Sequence, residues 1–111
     1  MLSLFKKLLG AHDKYARVNG AEAHEILKTN PQLQILDVRT PGEVREGKIQ
    51  KSIHIDFFGG NFTEVAKAKL DPTKPVLVYC RSGNRSSSAC GMLANLGFTE
   101  VYNLKGGFGS W

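Results

Sequence analysis

The sequence predicts an α/β domain with a mostly parallel, five-stranded central sheet and helices on both faces. Apolar runs of strand length alternate with segments of helical periodicity, and parallel strands require such crossover helices. The run at residues 76–79, Val-Leu-Val-Tyr, has no polar alternation, as expected of a strand covered on both faces. With 111 residues the chain fits one domain. The predicted strands span residues 15–18, 33–38, 49–55, 76–79 and 101–103.

Helices are predicted where apolar residues recur every three or four positions or follow a capping residue. Asn19 is placed to cap the first full helix, Thr40-Pro41-Gly42 to start a short helical turn, and Gly97 to end the last helix. The last helix is expected to begin near Ser86, with the Ser86 side chain as its cap. The predicted helical segments are residues 21–28, 43–46, 62–70 and 86–96.

Residues 1–10 are predicted to form an amphipathic N-terminal extension, and residues 11–111 the main domain. Apolar residues recur at helical spacing around Lys6 and Lys7. A short helix packed on its own domain is the simpler interpretation, and a helix that binds a membrane surface or a partner is the alternative. The segment lacks the features of a secretory signal, and no stretch approaches the ~20 apolar residues of a membrane span. We therefore expect a soluble protein without a transmembrane segment.

Charge and cysteine content narrow the function classes. The formal net charge of +5 favours anionic partners, but the basic residues are spread along the chain, so no nucleic-acid surface is predicted. Cys80 and Cys90 have neither CxxC spacing nor a neighbouring Cys/His cluster, which argues against a disulfide framework and a metal site. We expect free thiols, a cytoplasmic location, and no metal or organic cofactor.

The most informative stretch is the polar loop that follows the apolar run at residues 76–79. A helix N-terminus and adjacent cations both stabilise a thiolate, and Gly83 allows a tight turn in which successive N–H groups point at one anion. No acidic residue occurs between Asp71 and Glu100, so the loop is expected to be a local positive pole. A nucleophilic cysteine is therefore favoured over a buried structural one. The loop reads Cys80-Arg81-Ser82-Gly83-Asn84-Arg85.

Further motifs occur in a fixed order from about residue 15 to residue 111. They are Asp37-Val38-Arg39, Gly47-Lys48-Ile49 through Ile53-His54-Ile55, Cys80 through Ser86, Gly97-Phe98, and Leu104-Lys105-Gly106-Gly107-Phe108 with Trp111. Together they resemble the single-domain rhodanese (thiosulfate sulfurtransferase) family. The resemblance implies an enzyme in which Cys80 takes a sulfane sulfur from an anionic small-molecule donor such as thiosulfate, as a persulfide, and passes it to cyanide or a thiol. The alternative is a sulfur-relay or protein-binding module with a protein donor or acceptor and little thiosulfate turnover.

Loop length separates two relatives of this fold. Four residues lie between Cys80 and Arg85, whereas the phosphatases and arsenate reductases that share the fold place five residues there, around a larger tetrahedral oxyanion. The shorter loop favours a sulfane sulfur over a phosphate.

The loop residues are expected to divide the work of holding and transferring sulfur. Cys80 is the nucleophile, and Arg81 steers an anionic donor. Arg85 either binds the donor or pairs with Asp37 or Glu43 to brace the loop, and we favour bracing. The backbone N–H groups that hold the terminal sulfur are those of Arg81, Ser82, Gly83, Asn84, Arg85 and Ser86.

Other polar residues are assigned supporting or structural roles. Asp37 and Arg39 are expected to form an ion pair that joins two loops, and His54 a structural hydrogen bond. Cys90 is expected to be a small core residue. Lys51-Ser52 stands where the resembled family usually has Gly-Ala, which affects local packing and not the nucleophile.

Overall fold

The computed structural model describes residues 2–10 and 13–111, without the side chains of residues 2 and 3, and shows a five-stranded parallel sheet. The strands lie in the order β1-β5-β4-β2-β3, and every neighbouring pair is parallel. This confirms the predicted fold class. The strands are β1 (Ala16–Val18), β2 (Gln34–Asp37), β3 (Ile53–His54), β4 (Val76–Tyr79) and β5 (Val101–Leu104).

Helices cover both faces of the sheet. Along β4, Val78 belongs to the apolar cluster that contains Leu93, while Leu77 belongs to the opposite cluster with Phe5 and Ile26. Such alternation is expected because successive strand residues point to opposite faces. The helices are α1 (Leu2–Leu8), α2 (Gly20–Thr29), α3 (Pro41–Arg45), α4 (Phe62–Lys69) and α5 (Asn84–Asn95), followed by a 3₁₀ turn at Gly107–Ser110.

Two loops, those after the central strands β2 and β4, come together at the carboxyl ends of these strands. All four residues of β4 are fully buried, as its unbroken apolar sequence predicted. In the register between β2 and β4, Asp37 lies beside Tyr79, the residue before Cys80. Because parallel strands end at the same edge of a sheet, the loops after β2 and β4 open side by side.

The predicted strand at residues 49–55 is largely wrong, because only Ile53–His54 pairs with the sheet. Gly47 and Lys51 adopt φ values of 142° and 68°, which turn the backbone away from an extended path. Ile49 is still buried, and its N–H donates to the Tyr79 hydroxyl at 3.0 Å. At φ 68°, Lys51 is a lysine in a backbone conformation that favours glycine.

The last helix begins two residues earlier than predicted. α5 starts at Asn84, and Gly83, at φ 109°, is its N-cap in the left-handed region. Ser86 is therefore the third helical residue, and its side chain bonds Asn103 instead of capping the helix. The predicted stop is confirmed, because Gly97 follows the helix at φ 98°.

The N-terminal helix α1 lies against the sheet. Phe5 is buried and meets the Tyr102 ring edge to face, with 5.4 Å between ring centroids. The predicted division between residues 10 and 11 falls at the margin of the described residues and stays a prediction. Within residues 2–10 and 13–111, no helix is long and apolar enough to span a membrane.

Candidate active site

Cys80 is the first residue after β4, and its sulfur lies inside the loop that leads into α5. The Gly83 N–H donates to Cys80 Sγ at 2.9 Å, and Ser86 Oγ lies 3.4 Å from the same sulfur. The side chain is fully buried. The loop therefore surrounds the sulfur with hydrogen-bond donors and a helix N-terminus, the setting in which a thiolate is stabilised.

Two opposing effects act on the pKa of Cys80. Burial raises the pKa, since it disfavours the charged sulfur, and hydrogen bonds from the Ser86 side chain and from the N–H groups of Ser86, Gly83 and Ser82 lower it. The hydrogen bonds prevail, so the pKa of the thiol lies below its ordinary value. The arrangement favours a nucleophilic thiolate.

The segment after β5 contacts the carbonyl groups of the loop backbone. The Phe108 N–H donates to the Cys80 carbonyl at 2.8 Å. A Cβ atom at Gly107 would overlap the carbonyl groups of Arg81 and Cys80, and Gly107 also adopts φ 71°. The glycine therefore permits a close approach that fixes the carbonyl side of the loop, while the N–H side faces the sulfur.

A buried polar pair supports the inner side of the loop, and one of its members, Asn103, is not among the site residues predicted from the sequence. Ser86 Oγ donates to Asn103 Oδ1 at 2.6 Å, and Asn103 Nδ2 donates to the Gly83 carbonyl at 3.3 Å. Asn103 lies on β5 and is 4% exposed. The sequence does hold one signal for Asn103, since it is a polar residue in an otherwise apolar strand.

Arg85 forms a two-point ion pair with Glu43 of α3. The distances are 2.7 Å from Nη1 to Oε1 and 2.9 Å from Nη2 to Oε2. Hydrogen bonds from Arg85 prevail over burial and, with those from Thr40, lower the pKa of Glu43 to about 2. Of the two acids expected to pair with Arg85, the structure selects Glu43. The pair joins the Cys80 loop to the loop after β2.

Asp37 and Arg39 form a buried ion pair beneath the site. Arg39 Nη2 lies 2.7 Å from Asp37 Oδ2, and the same carboxylate oxygen accepts from the Tyr79 hydroxyl at 2.7 Å. The Arg39 guanidinium also lies 4.4 Å from the centre of the Phe108 ring. Hydrogen bonding to Asp37 raises the pKa of Arg39. His54 Nε2 lies 2.6 Å from the Arg39 carbonyl oxygen, in line with a structural role.

Arg81, Ser82 and Asn84 lie on the exposed side of the loop. Arg81 also lines a recess of about 230 Å³. Its charges are mixed, because two acidic residues of the α3 region enter it and Glu43 already pairs with Arg85. Acidic residues distant in sequence therefore offset part of the positive charge that was predicted for the loop, since Glu43 pairs with Arg85. The recess is lined by Arg39, Glu43, Glu46, Arg81 and Phe108.

Cys90 lies on α5 and is fully buried, with its Sγ 3.6 Å from the Tyr102 carbonyl oxygen. Both cysteines are free thiols. In the part of the chain that the structure describes, no three His, Cys, Asp or Glu side chains come together as metal ligands.

A buried cysteine sulfur at the end of a parallel strand, facing backbone donors of a strand-to-helix loop, defines a class of α/β domains built around a thiolate. The chain belongs to the rhodanese-like domain family, which matches residues 20–111.

Comparison with known proteins gives relatives of similar size. The protein named thiosulfate sulfurtransferase GlpE of Coxiella burnetii is 37% identical over 97 residues, which cover 87% of each chain. A protein of Allochromatium vinosum named sulfurtransferase is 32% identical over 77 residues, or 69% of each chain. The crystal structure of a rhodanese-related protein from Thermoplasma volcanium matches with a TM-score of 0.74 and 36% identity, covering 87% of this chain and 90% of that one.

Proposed function

We propose that this protein is a sulfurtransferase that carries a sulfane sulfur on Cys80. The observation that carries the proposal is the 2.9 Å hydrogen bond from the Gly83 N–H to Cys80 Sγ, within a loop that lowers the pKa of this thiol. A thiolate is the attacking form of cysteine, and the loop favours it. The relatives named as sulfurtransferases support the same assignment.

With thiosulfate as donor, the reaction has two steps. The Cys80 thiolate attacks the outer sulfur of thiosulfate, a sulfur–sulfur bond forms at Cys80, and sulfite leaves with the electron pair of the broken bond. Cyanide or a thiolate then attacks the outer sulfur of the persulfide and releases the Cys80 thiolate. The transfer is thus divided into two displacements at one sulfur atom.

The loop N–H groups are suited to hold the transferred sulfur. The Gly83 N–H already donates to Cys80 Sγ at 2.9 Å, the N–H groups of Ser82 and Ser86 also lower the pKa of this thiol, and the N-terminus of α5 adds its dipole. We assign Arg81, which is exposed and lines the recess, to attract an anionic donor. We assign Arg85 to bracing, because its guanidinium is already committed to Glu43 at two points.

Free cysteines and a thiol that must stay reduced between turnovers favour the cytoplasm as the working compartment. No metal or organic cofactor enters the proposed steps.

Mass spectrometry of the intact protein after incubation with thiosulfate tests the proposal. We expect a gain of about 32 Da, one sulfur atom, that cyanide removes. Cys80→Ser should abolish the gain, and Cys90→Ala is the matched control that should retain it.

The alternative function, a sulfur relay, predicts a different pattern in the same experiment. Thiosulfate would then give no gain, while a protein persulfide donor would load Cys80. Failure of every donor to load a folded protein would contradict sulfur transfer altogether.

A further inference from the structure

Two buried acceptors, Asn103 Oδ1 and Cys80 Sγ, lie near the single proton of the Ser86 hydroxyl. Ser86 Oγ lies 2.6 Å from Asn103 Oδ1 and 3.4 Å from Cys80 Sγ, while Asn103 Nδ2 lies 3.3 Å from the Gly83 carbonyl oxygen. Ser86 and Cys80 are fully buried, and Asn103 is nearly so. Their polar atoms must therefore find hydrogen-bond partners among groups of the protein, without help from bulk water.

The direction of each bond follows from the Gly83 carbonyl. That oxygen only accepts, so the Asn103 amide must turn Nδ2 toward it and Oδ1 toward Ser86. Oδ1 also only accepts, so the Ser86 hydroxyl must donate to it. Since a hydroxyl has one proton, Ser86 Oγ is left to accept from the S–H of a neutral Cys80.

When Cys80 is a thiolate, the Ser86 hydroxyl is required to donate a hydrogen bond to the sulfur and no longer to accept one. The charged sulfur has no proton to give, so it faces oxygen lone pairs unless the hydroxyl turns and donates to it. A bond to a charged acceptor is stronger than one to a neutral acceptor, which favours the turn. The turn leaves the buried Asn103 Oδ1 without its donor, which opposes it.

We propose that Asn103 is a positioning residue: its Oδ1 accepts the hydrogen bond of the Ser86 hydroxyl while Cys80 is a thiol, and the hydroxyl turns to donate to the sulfur when Cys80 becomes a thiolate. The proton that Cys80 loses goes to solvent. Ser86 keeps its own proton and changes only its direction. The inference rests on the proposed function for the role of Cys80. It implies that Asn103 opposes ionisation of that thiol and so raises its pKa.

Among the described residues, the other charged and titratable groups around Cys80 make no hydrogen bond to Asn103 or to the Ser86 side chain beyond that of Cys80 itself. The Asp37–Arg39 and Glu43–Arg85 pairs are internally neutral, and the electrostatic effect of Cys80 reaches Arg85 and Cys90 on α5. The groups meant are the members of these two ion pairs and, in addition, Tyr79, Arg81 and Cys90.

The test is the pKa of Cys80, measured from the pH dependence of its alkylation by iodoacetamide with peptide mapping of the modified cysteine. Asn103→Leu keeps the branched shape of the side chain and frees Ser86, so it should lower the pKa of Cys80 by about half a unit to one unit, the effect of one hydrogen bond. Ser86→Ala should raise the pKa. In the Ser86→Ala background, Asn103→Leu should cause no further lowering.

Ser88→Ala is the matched control, because Ser88 is an exposed serine two residues along the same helix. It should leave the pKa of Cys80 unchanged. An unchanged or raised pKa in Asn103→Leu overturns the proposal, as does a lowering that persists in the Ser86→Ala background. Either result would mean that Asn103 acts only by supporting the loop through Gly83.

Should Asn103→Leu not fold, the unsubstituted protein supplies the test. The side-chain amide resonances of Asn103 should shift with pH at the midpoint found for alkylation of Cys80, and resonances that do not follow that midpoint overturn the proposal. None of these measurements uses a sulfur donor. A protein that fails to load sulfur therefore contradicts the proposed function and leaves this test intact.

Discussion

The two cysteines of this protein are both fully buried, yet their pKa values move in opposite directions. Burial raises the pKa of Cys90 well above its ordinary value. At Cys80 the same effect is overcome by the hydroxyl and N–H donors of the loop. The hydrogen bond found for Cys90 runs to the Tyr102 carbonyl, an acceptor that offers a thiolate nothing.

The contrast shows that burial alone does not decide whether a cysteine reacts. What differs is the backbone around each sulfur. At Cys80 a turning loop has N–H groups that no helical carbonyl uses, so they can donate to the sulfur. Cys90 lies inside α5, where the N–H groups bond to carbonyl groups of the helix. Changes to the loop backbone should therefore affect function, and comparable changes beside Cys90 should not.

The largest effect is expected from replacing the cysteines themselves. Cys80→Ser should reduce sulfur transfer to the background rate, since a hydroxyl is not ionised at neutral pH and cannot carry the sulfur. Cys90→Ala should retain transfer and lose about 1 kcal/mol of stability through a small core cavity. Steady-state assays with thiosulfate and cyanide, with thermal melts, measure both. Equal loss of activity in the two variants would contradict the contrast.

Gly107→Ala should be the next most damaging change. Its Cβ would overlap the carbonyl groups of Arg81 and Cys80, at a residue that already adopts φ 71°. We expect a loss of about 3 kcal/mol from overlap and backbone strain, and a Cys80 pKa that rises because the loop donors are displaced. Chemical denaturation and the pH dependence of alkylation give the two quantities. A stable variant with an unchanged pKa would show that Gly107 does not set the loop.

Arg85→Lys should cost about 1–2 kcal/mol, because a lysine cannot keep both hydrogen bonds to Glu43. If Arg85 braces the loop, the melting temperature and the activity fall together. A fall in donor affinity at unchanged stability would instead identify Arg85 as a substrate contact.

The same ion pair predicts a pH dependence of stability. The pKa of Glu43 is about 2 in the folded protein, below the ordinary 4.5, so the stabilisation is fully present above pH 4.5 and is lost as pH falls toward 2. Glu43→Gln should lack that part of the acid dependence. Identical acid unfolding curves would contradict the assignment.

The smallest effect is expected at Gly91, the neighbour of Cys90. A Cβ there meets no atom within 4 Å, and the residue lies inside α5. Gly91→Ala should therefore stabilise the protein by about 0.5–1 kcal/mol and leave the Cys80 pKa unchanged. Thermal melts and alkylation rates measure this. A destabilised or less reactive variant would show that the environment of Cys90 is coupled to the loop.

Local sequence patterns predicted the fold class better than the boundaries of its elements. The bounds of β4 were predicted correctly because its apolar run is unbroken and followed at once by a polar loop. The strand at residues 49–55 was overextended because Ile49 is buried without belonging to the sheet. The start of α5 was missed because Gly83 caps the helix through its backbone conformation and not through a side chain.

Contacts between distant parts of the chain could not be located in the same way. Glu43 and Arg85 were proposed as one of two pairings, and only the side-by-side placement of the loops after β2 and β4 decides between them. Asn103 and Tyr79 escaped notice, since their polar atoms find partners only when β5 and β2 are placed beside β4. Strand register is what the sequence pattern does not contain.

The pH dependence of alkylation of both cysteines in the native protein tests the central claim most directly. The account predicts that Cys80 becomes reactive with a midpoint below the ordinary pKa of a cysteine, whereas Cys90 stays unmodified until the protein unfolds. A Cys80 midpoint at or above the ordinary value, or a Cys90 that reacts as fast in the folded state, would contradict it.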